Sequence, residues 1–300
     1  MNLLQFQKNF NDEQACRNWL AEKRWGKDNA ICPHCKSNNH YKYEDGRLFK
    51  CADCKKQYTV RIGTIFEDSR IPLVKWFIAI YLFSTMKKGM SSIQLAKYIE
   101  ITQKSAWFML QRIREVMKED FNQFNGITEI DEAYIGGRDQ NKHTHKKGKV
   151  EKSVIIGMVN RDTKQVKAFK VLDSQKEHLL PKVNIYNKRG STIITDTLQA
   201  YKDLKKNYNH NTVKHSAGEY VKKNSRTAYK IHTNTIEGFW SHLKRGIFGV
   251  YHWASNKHIQ KYVNEFSFRY NNKDFSDFDI FANWFACCEG KKLEYSFLIK

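Results

Sequence analysis

Two short motifs, "CPHC" at residues 32–35 and "CADC" at residues 51–54, are separated by 15 residues. The resulting C-x2-C-x15-C-x2-C pattern sets four thiolates at the spacing of a tetrahedral Zn²⁺ site. It constrains the fold directly, because the chain between the two motifs must double back to bring them together. Tyr41 and Tyr43, a turn at Asp45-Gly46, then Leu48 and Phe49 read as the β-hairpin that does this. A site closed by Cys32, Cys35, Cys51 and Cys54 leaves no open position, so its zinc is structural. The other cysteines, Cys16, Cys287 and Cys288, lie far away and bring the total to seven. An odd, uneven set is no disulfide framework and suits a reducing compartment. Zinc ribbons bind DNA, RNA or protein alike, so the motif identifies a metal before a function.

Charge narrows the partner. The 300 residues carry 52 Lys and Arg against 31 Asp and Glu, a formal net charge of +21. That excess points to a polyanion, and nucleic acid is the first candidate. An anionic membrane is the other, but the longest apolar run, Trp76 to Phe83, is too short to span a bilayer. The first residues show no signal-peptide pattern. The expected location is cytoplasmic, or with the nucleoid when bound to DNA.

Four regions follow along the chain. Residues 1–28 contain a short amphipathic helix, with Asn11 and Asp12 as capping residues ahead of Cys16, Trp19 and Leu20. Residues 29–66 are the zinc ribbon. Residues 67–122 are helical: "LVKWFIAIYLFSTM", then "SIQLAKYIE" and "TQKSAWFMLQRIREVM" joined by a tight turn. The last two have a helix–turn–helix pattern. Thr102 caps the second helix, and Gln103, Lys104, Ser105, Gln111, Arg112 and Arg114 read as its exposed face, with Lys104 and Arg112 as DNA contacts. A plain helical hairpin with solvated charges matches the same residues.

From residue 123 to 300 the period changes. "GITEIDEAYIGG", "SVIIGMVNRD", "QVKAFKVLD" and "STIITDT" read as strands, with a helix near His178 to Tyr186 before the fourth. "TIEGFWSHLKRG" and "SNKHIQKYVNEFSFRYNN" read as later helices. The fold class is therefore mixed α/β. The basic stretch Arg138 to Lys152 reads as a loop.

Acids occur where apolar residues are expected. Glu129, Asp131 and Glu132 lie inside the first strand pattern, and Asp196 ends the fourth. A carboxylate buried in a strand is costly unless paired or metal-bound. Asp131 and Asp196 on neighbouring strands, with Glu237 from a helix, would bind Mg²⁺ or Mn²⁺ for in-line phosphoryl transfer. Glu129 and Glu132 are expected to face the surface or the basic loop, and Asp196 could instead cap the following helix. Seven residues after Glu237, about two helical turns, comes Lys244, on a face expected to include Trp240 and Ser241 and placed to reach a DNA phosphate. Arg245, His252 and Trp253 are weaker candidates for the DNA path. His232 and His242 flank the acid, His242 pointing to another face. Cys287 and Cys288 read as a buried helix face.

These residues carry a resemblance. "CPHC…CADC", "GTIFEDSRIPLVKWFIAIYLF", "EIDEAYIGG", "ITDTLQAY", "HTNTIEGFWSHLKRGIFGVYHW" and "NEFSFRYN" together make the chain similar to insertion-sequence transposases of the DDE type. The group is the one with an N-terminal zinc ribbon that is related to Merlin elements. The resemblance implies a ribonuclease-H-like catalytic domain, with Asp131, Asp196 and Glu237 as catalytic metal ligands spaced by 65 and 41 residues. It also implies recognition of terminal inverted repeats, metal-dependent strand cleavage, strand transfer into target DNA, and a homodimer or larger assembly on DNA. Some members place Asn at the third position. Asn234 lies one turn before Glu237 and is expected as a supporting ligand or phosphate contact. A non-catalytic, domesticated zinc-ribbon DNA-binding protein is the alternative reading, and a nuclease or resolvase would share the metal chemistry.

Overall fold

The computed structural model describes residues 2–27, 29–117, 122–136, 152–214, 221–222 and 229–299. The basic stretch after residue 136 lies outside the described residues, apart from Lys152. The chain divides into two compact units, residues 1–117 with 274–300 and residues 118–273.

The first unit begins with two helices, α1 (Leu3–Asn9) and α2 (Glu13–Trp25). The Asp12 side chain accepts a hydrogen bond from the Ala15 amide at 2.7 Å, so α2 starts where its capping residue requires. The separate α1 adds to the single helix expected in this region; Asn2 and Gln5 form a reciprocal capping box at its start. The ribbon follows as β1 (His40–Lys42), β2 (Phe49–Cys51) and β3 (Gln57–Tyr58), all antiparallel. Helices α3 (Leu73–Thr85), α4 (Ser92–Ile99) and α5 (Gln103–Val116) complete the N-terminal part. Among the described residues no helix is long and apolar enough to cross a membrane.

The second unit is built on a five-stranded sheet: β4 (Ile127–Ile135), β5 (Ser153–Asn160), β6 (Val166–Val171), β7 (Thr192–Thr195) and β8 (Asn209–Thr212). Their spatial order is β6-β5-β4-β7-β8. The first three strands form an antiparallel meander, and β7 and β8 run parallel to β4. Helix α6 (Lys176–Tyr186) makes the crossover to β7, and a 3₁₀ helix (Gln199–Lys206) leads on to β8. Helices α7 (Asn234–Gly246) and α8 (Ile259–Asn271) cover the opposite face.

The period-2 alternation of β4 explains the two cores. Ala133 and Ile135 pack with Ile155, Ile236, Phe239, Trp240, Leu243 and Phe266 on the α7–α8 side. Ile130 packs with Ile156, Met158, Leu179, Val183 and Tyr201 on the α6 side. At the α7–α8 crossing, a Cβ on Gly246 would lie 1.8 Å from the Phe266 ring, so only glycine permits that approach.

The chain ends with α9 (Asp277–Ala286) and α10 (Tyr295–Ile299), which belong to the first unit. This corrects the expectation that all residues after 123 form one region. The cause is aromatic: Phe281 and Phe285 of α9 pack on Phe77 of α3 and Trp19 of α2, with ring centroids 4.7–5.9 Å apart. Cys288 is buried just beyond α9, whereas Cys287 is exposed, so only one of that pair sits on a buried face.

Candidate metal and nucleic-acid sites

Each cysteine motif of the ribbon makes the same tight turn. The Lys36 amide donates to Cys32 O and the Lys55 amide to Cys51 O, at 2.9 and 3.1 Å. Lys36 and Lys55 both take left-handed backbone, with φ of 64° and 62°. The four sulfurs lie within 4.8 Å of one another. Cys32 Sγ is 3.7 Å from Cys54 Sγ, and Cys35 Sγ is 3.5 Å from Cys51 Sγ. A tetrahedron with Zn–S bonds of about 2.3 Å has edges of about 3.8 Å, so the sulfurs fit zinc and are far too distant for disulfides. Cys32, Cys35, Cys51 and Cys54 therefore make a structural zinc site.

The acids of the second unit meet through strand register. β4 and β7 pair in parallel, with Ile127 beside Thr192 and Glu129 beside Ile194. That offset is 65 residues, the same as the spacing of Asp131 and Asp196. The pairing ends at Glu129 and Ile194, and Asp131 and Asp196 each follow two residues later, near enough for the Asp196 charge to act on Asp131. Asp196 Oδ1 accepts from the Leu198 amide at 2.9 Å, so it also shapes the turn into the 3₁₀ helix. Helix α7 lies over β4, and its Trp240 Nε1 donates to Asp131 Oδ2 at 3.0 Å. Glu237, one turn earlier, is exposed, and its Oε1 accepts from Thr233 Oγ1 at 3.1 Å.

The electrostatics record this crowding. Burial, together with the nearby charges of Asp196 and Glu237, raises Asp131 from 3.8 to about 6. Glu132 is corrected from a surface acid to a mostly buried one on the α6 side of the sheet. Its Oε1 is buried without a hydrogen-bond partner among the described residues. Burial, then Asp131 and Asp196, raise it to about 8. Carboxylates that repel one another, with Asp131 partly desolvated among them, fit a divalent cation chemically. Among the described residues they do not converge as tightly as the ribbon sulfurs.

Glu129 is corrected more sharply, since it has no exposed surface. Its Oε2 accepts from the Thr235 and Ile236 amides at 2.9 and 3.1 Å, and its Oε1 accepts from Thr235 Oγ1 at 2.8 Å. Arg161 Nε donates to the same Oε1 at 2.6 Å. Thr233 makes no side-chain cap, so a carboxylate from β4 satisfies the first amides of α7 instead. His232 Nδ1 lies 3.3 Å from Glu129 Oε1.

The basic residues divide. On α7, Asn234, Glu237, Ser241, Lys244 and Arg245 are exposed, as expected for one ridge, while Trp240 turns inward to Asp131. His242 is half-buried, edge-on to Phe266 at 5.3 Å. Phe248, His252 and Trp253 are exposed beyond α7, with His252 in left-handed backbone at φ 58°. On α5, Lys104 is exposed near Tyr295, but Gln111, Arg112 and Arg114 are buried. The expected DNA contact at Arg112 is thereby corrected. Its Nε donates to Leu293 O, and its Nη1 to Ile65 O and Glu67 O, so the guanidinium ties chain segments together inside the first unit. Charge alone suggests exposure for these residues, but backbone carbonyls from distant segments let the Arg112 guanidinium be buried.

Sequence comparison identifies the two parts of the chain by family. The ISXO2-like transposase domain matches residues 123–271, and the transposase zinc-ribbon domain matches residues 11–57. An uncharacterized protein in the transposable element ISH50 of Halobacterium salinarum is 25% identical over 280 residues, covering 87% of this chain and 92% of its own length. The chain thus belongs to the ISXO2-like insertion-sequence transposases that carry an N-terminal transposase zinc ribbon.

Proposed function

We propose that this transposase cuts DNA at the ends of its insertion sequence and joins them to target DNA, using Asp131, Asp196 and Glu237 as its catalytic carboxylates. The observation that carries this reading is the 65-residue register offset between β4 and β7, which equals the spacing of Asp131 and Asp196 and supports their lying together beside the helix bearing Glu237. The sheet order β6-β5-β4-β7-β8, antiparallel then parallel, supports a ribonuclease-H-like fold. Mg²⁺ or Mn²⁺ bound there would polarise the scissile phosphate and lower the pKa of the attacking oxygen. Asp131 is steadied by Trp240, Asp196 by the Leu198 amide, and Glu237 by Thr233. The exposed ridge of Asn234, Ser241, Lys244 and Arg245 continues from Glu237 and supports a path for the DNA backbone. Lys104 and the ribbon are the elements of the first unit assigned to terminal inverted repeats. The working form is a homodimer or larger assembly on paired ends, acting at the nucleoid.

Strand transfer separates this reading from a simple nuclease. A duplex carrying a pre-cut element end with a free 3′-hydroxyl, incubated with supercoiled plasmid and Mg²⁺, should yield joined products. Hydrolysis of the duplex without joining would make the protein a nuclease, and binding without either reaction would leave a DNA-binding protein.

A further inference from the structure

We infer that Glu129 is a positioning residue, clamping α7 to β4 so that Glu237 is held at the height of Asp131. The inference rests on the carboxylate reading above and names the device that assembles it. Glu129 precedes Asp131 by two residues, so both side chains leave the same face of β4. Its carboxylate takes the second and third amides of α7, Thr235 N and Ile236 N, and the Thr235 hydroxyl. The next residue on the helix is Glu237. One buried side chain therefore spans the two elements that carry the first and third acids.

Arg161 completes the clamp. Besides Glu129, it donates to Lys230 O through Nη1 at 2.6 Å and to His232 O through Nη2 at 2.8 Å. It thus anchors the segment entering α7 to the turn after β5. The helix cannot slide along its axis without breaking amide, hydroxyl and guanidinium bonds together.

A buried ion pair that merely supports the fold would look similar, and such pairs are weak evidence for stability. The two roles differ in what they do to metal. Outer-shell partners that orient ligands typically change metal affinity by about 10- to 100-fold when altered. A purely structural pair would lower the unfolding midpoint and leave the affinity of the folded site unchanged.

The test is calorimetric titration of the full-length, zinc-loaded protein with Mn²⁺ in the absence of DNA, beside thermal unfolding. Wild type should bind Mn²⁺ and Asp131→Asn should not. Glu129→Gln should weaken Mn²⁺ binding about tenfold. Thr235→Val, which changes no charge, should weaken it in the same direction by less. Val183→Ala, a core truncation on the opposite face of the sheet, should lower the unfolding temperature without changing Mn²⁺ affinity.

Wild-type affinity in Thr235→Val and in any folded Glu129→Gln would overturn the clamp while leaving the metal site intact. So would equal weakening by Val183→Ala. If Glu129→Gln does not fold, Thr235→Val decides alone. Absence of Mn²⁺ binding by wild type, or binding unaffected by Asp131→Asn, would remove the carboxylate site itself and the clamp's purpose with it.

Discussion

The indole N–H of Trp240 on α7 donates to Oδ2 of Asp131 on β4 across 3.0 Å, directly over Gly157 on β5. The glycine makes this possible. A Cβ at position 157 would lie 2.6 Å from the Trp240 ring and 2.9 Å from Ile236 Cδ1. The aspartate is thus held by a helix that can approach the sheet because the facing strand has no side chain there.

Gly157→Ala should push Trp240 away and destabilise the second unit by about 1–3 kcal/mol, the usual cost of overpacking. Trp240→Phe keeps most of the ring but removes the donor, and should cost about 1 kcal/mol from the lost bond. Denaturant midpoints measure both. A Gly157→Ala protein as stable as wild type, with Asp131 still bonded, would contradict the packing argument.

The β4–β7 register offset equals the sequence spacing of Asp131 and Asp196, which relates the two proposed acids to the fold. Four of the five strands stand out by their apolar runs, α6 by its helical spacing, and Asp131 and Asp196 because they are acids within or at the end of such runs. β8 does not stand out: "NHNT" has no apolar residue and is found only by pairing beside β7. Glu129 and Arg112 depart from the sequence expectation for a shared reason. Charge suggests solvent, but a charge whose bonds are supplied by distant backbone can be buried, and those partners are 106 residues from Glu129 and up to 181 from Arg112. Local periodicity carries no information about them. The return of α9 to the first unit was hidden likewise, since an aromatic face does not say which aromatic partners it meets.

The acids make stability depend on pH. Asp131 is raised from 3.8 to about 6, chiefly by burial with Asp196 and Glu237 adding to it. Glu132 is raised from 4.5 to about 8, chiefly by burial with Asp131 and Asp196 adding to it. In the unfolded chain both return to ordinary values. Between about pH 4 and pH 8 the folded protein therefore binds more protons than the unfolded one, and stability falls as pH rises. Asp131 alone accounts for about 3 kcal/mol of this loss. Hydrogen exchange of β4 and β5 amides without divalent metal should show weaker protection at about pH 8 than at about pH 5. Asp131→Asn should flatten the trend, and Mn²⁺ should restore protection at the higher pH. Protection rising with pH in metal-free protein would contradict the assignment.

Zinc should matter locally. Cys51→Ser removes one of four sulfurs and should abolish stoichiometric zinc. Limited proteolysis should then cut within residues 29–58, while the sheet of the second unit remains protected. Retention of one zinc per chain would contradict the four-sulfur site.

Arg112 and Lys104 should separate stability from DNA binding, although both lie on α5. Arg112→Met leaves the carbonyls of Ile65, Glu67 and Leu293 without their donor and should cost about 2–4 kcal/mol. Lys104→Ala should change stability by less than about 0.5 kcal/mol and lower the salt dependence of DNA binding by about one phosphate contact. Lys244→Ala should act on DNA in the same way. Unfolding curves and affinities across a salt series distinguish these outcomes, and an unchanged salt slope in both lysine variants would remove them from the DNA path.

The central claim is that Asp131, Asp196 and Glu237 act as one metal-dependent site. Its most direct test is cleavage of end-labelled DNA carrying the element's terminus, with Mg²⁺ or with EDTA, by wild type and by Asp131→Asn, Asp196→Asn, Glu237→Gln and Asn234→Ala. Wild type should cut only with metal, and each acid variant should bind the DNA yet fail to cut. Asn234→Ala should retain cutting. Cleavage by Glu237→Gln with none by Asn234→Ala would transfer the third position to Asn234, and cleavage by any aspartate variant at the wild-type rate would contradict the site.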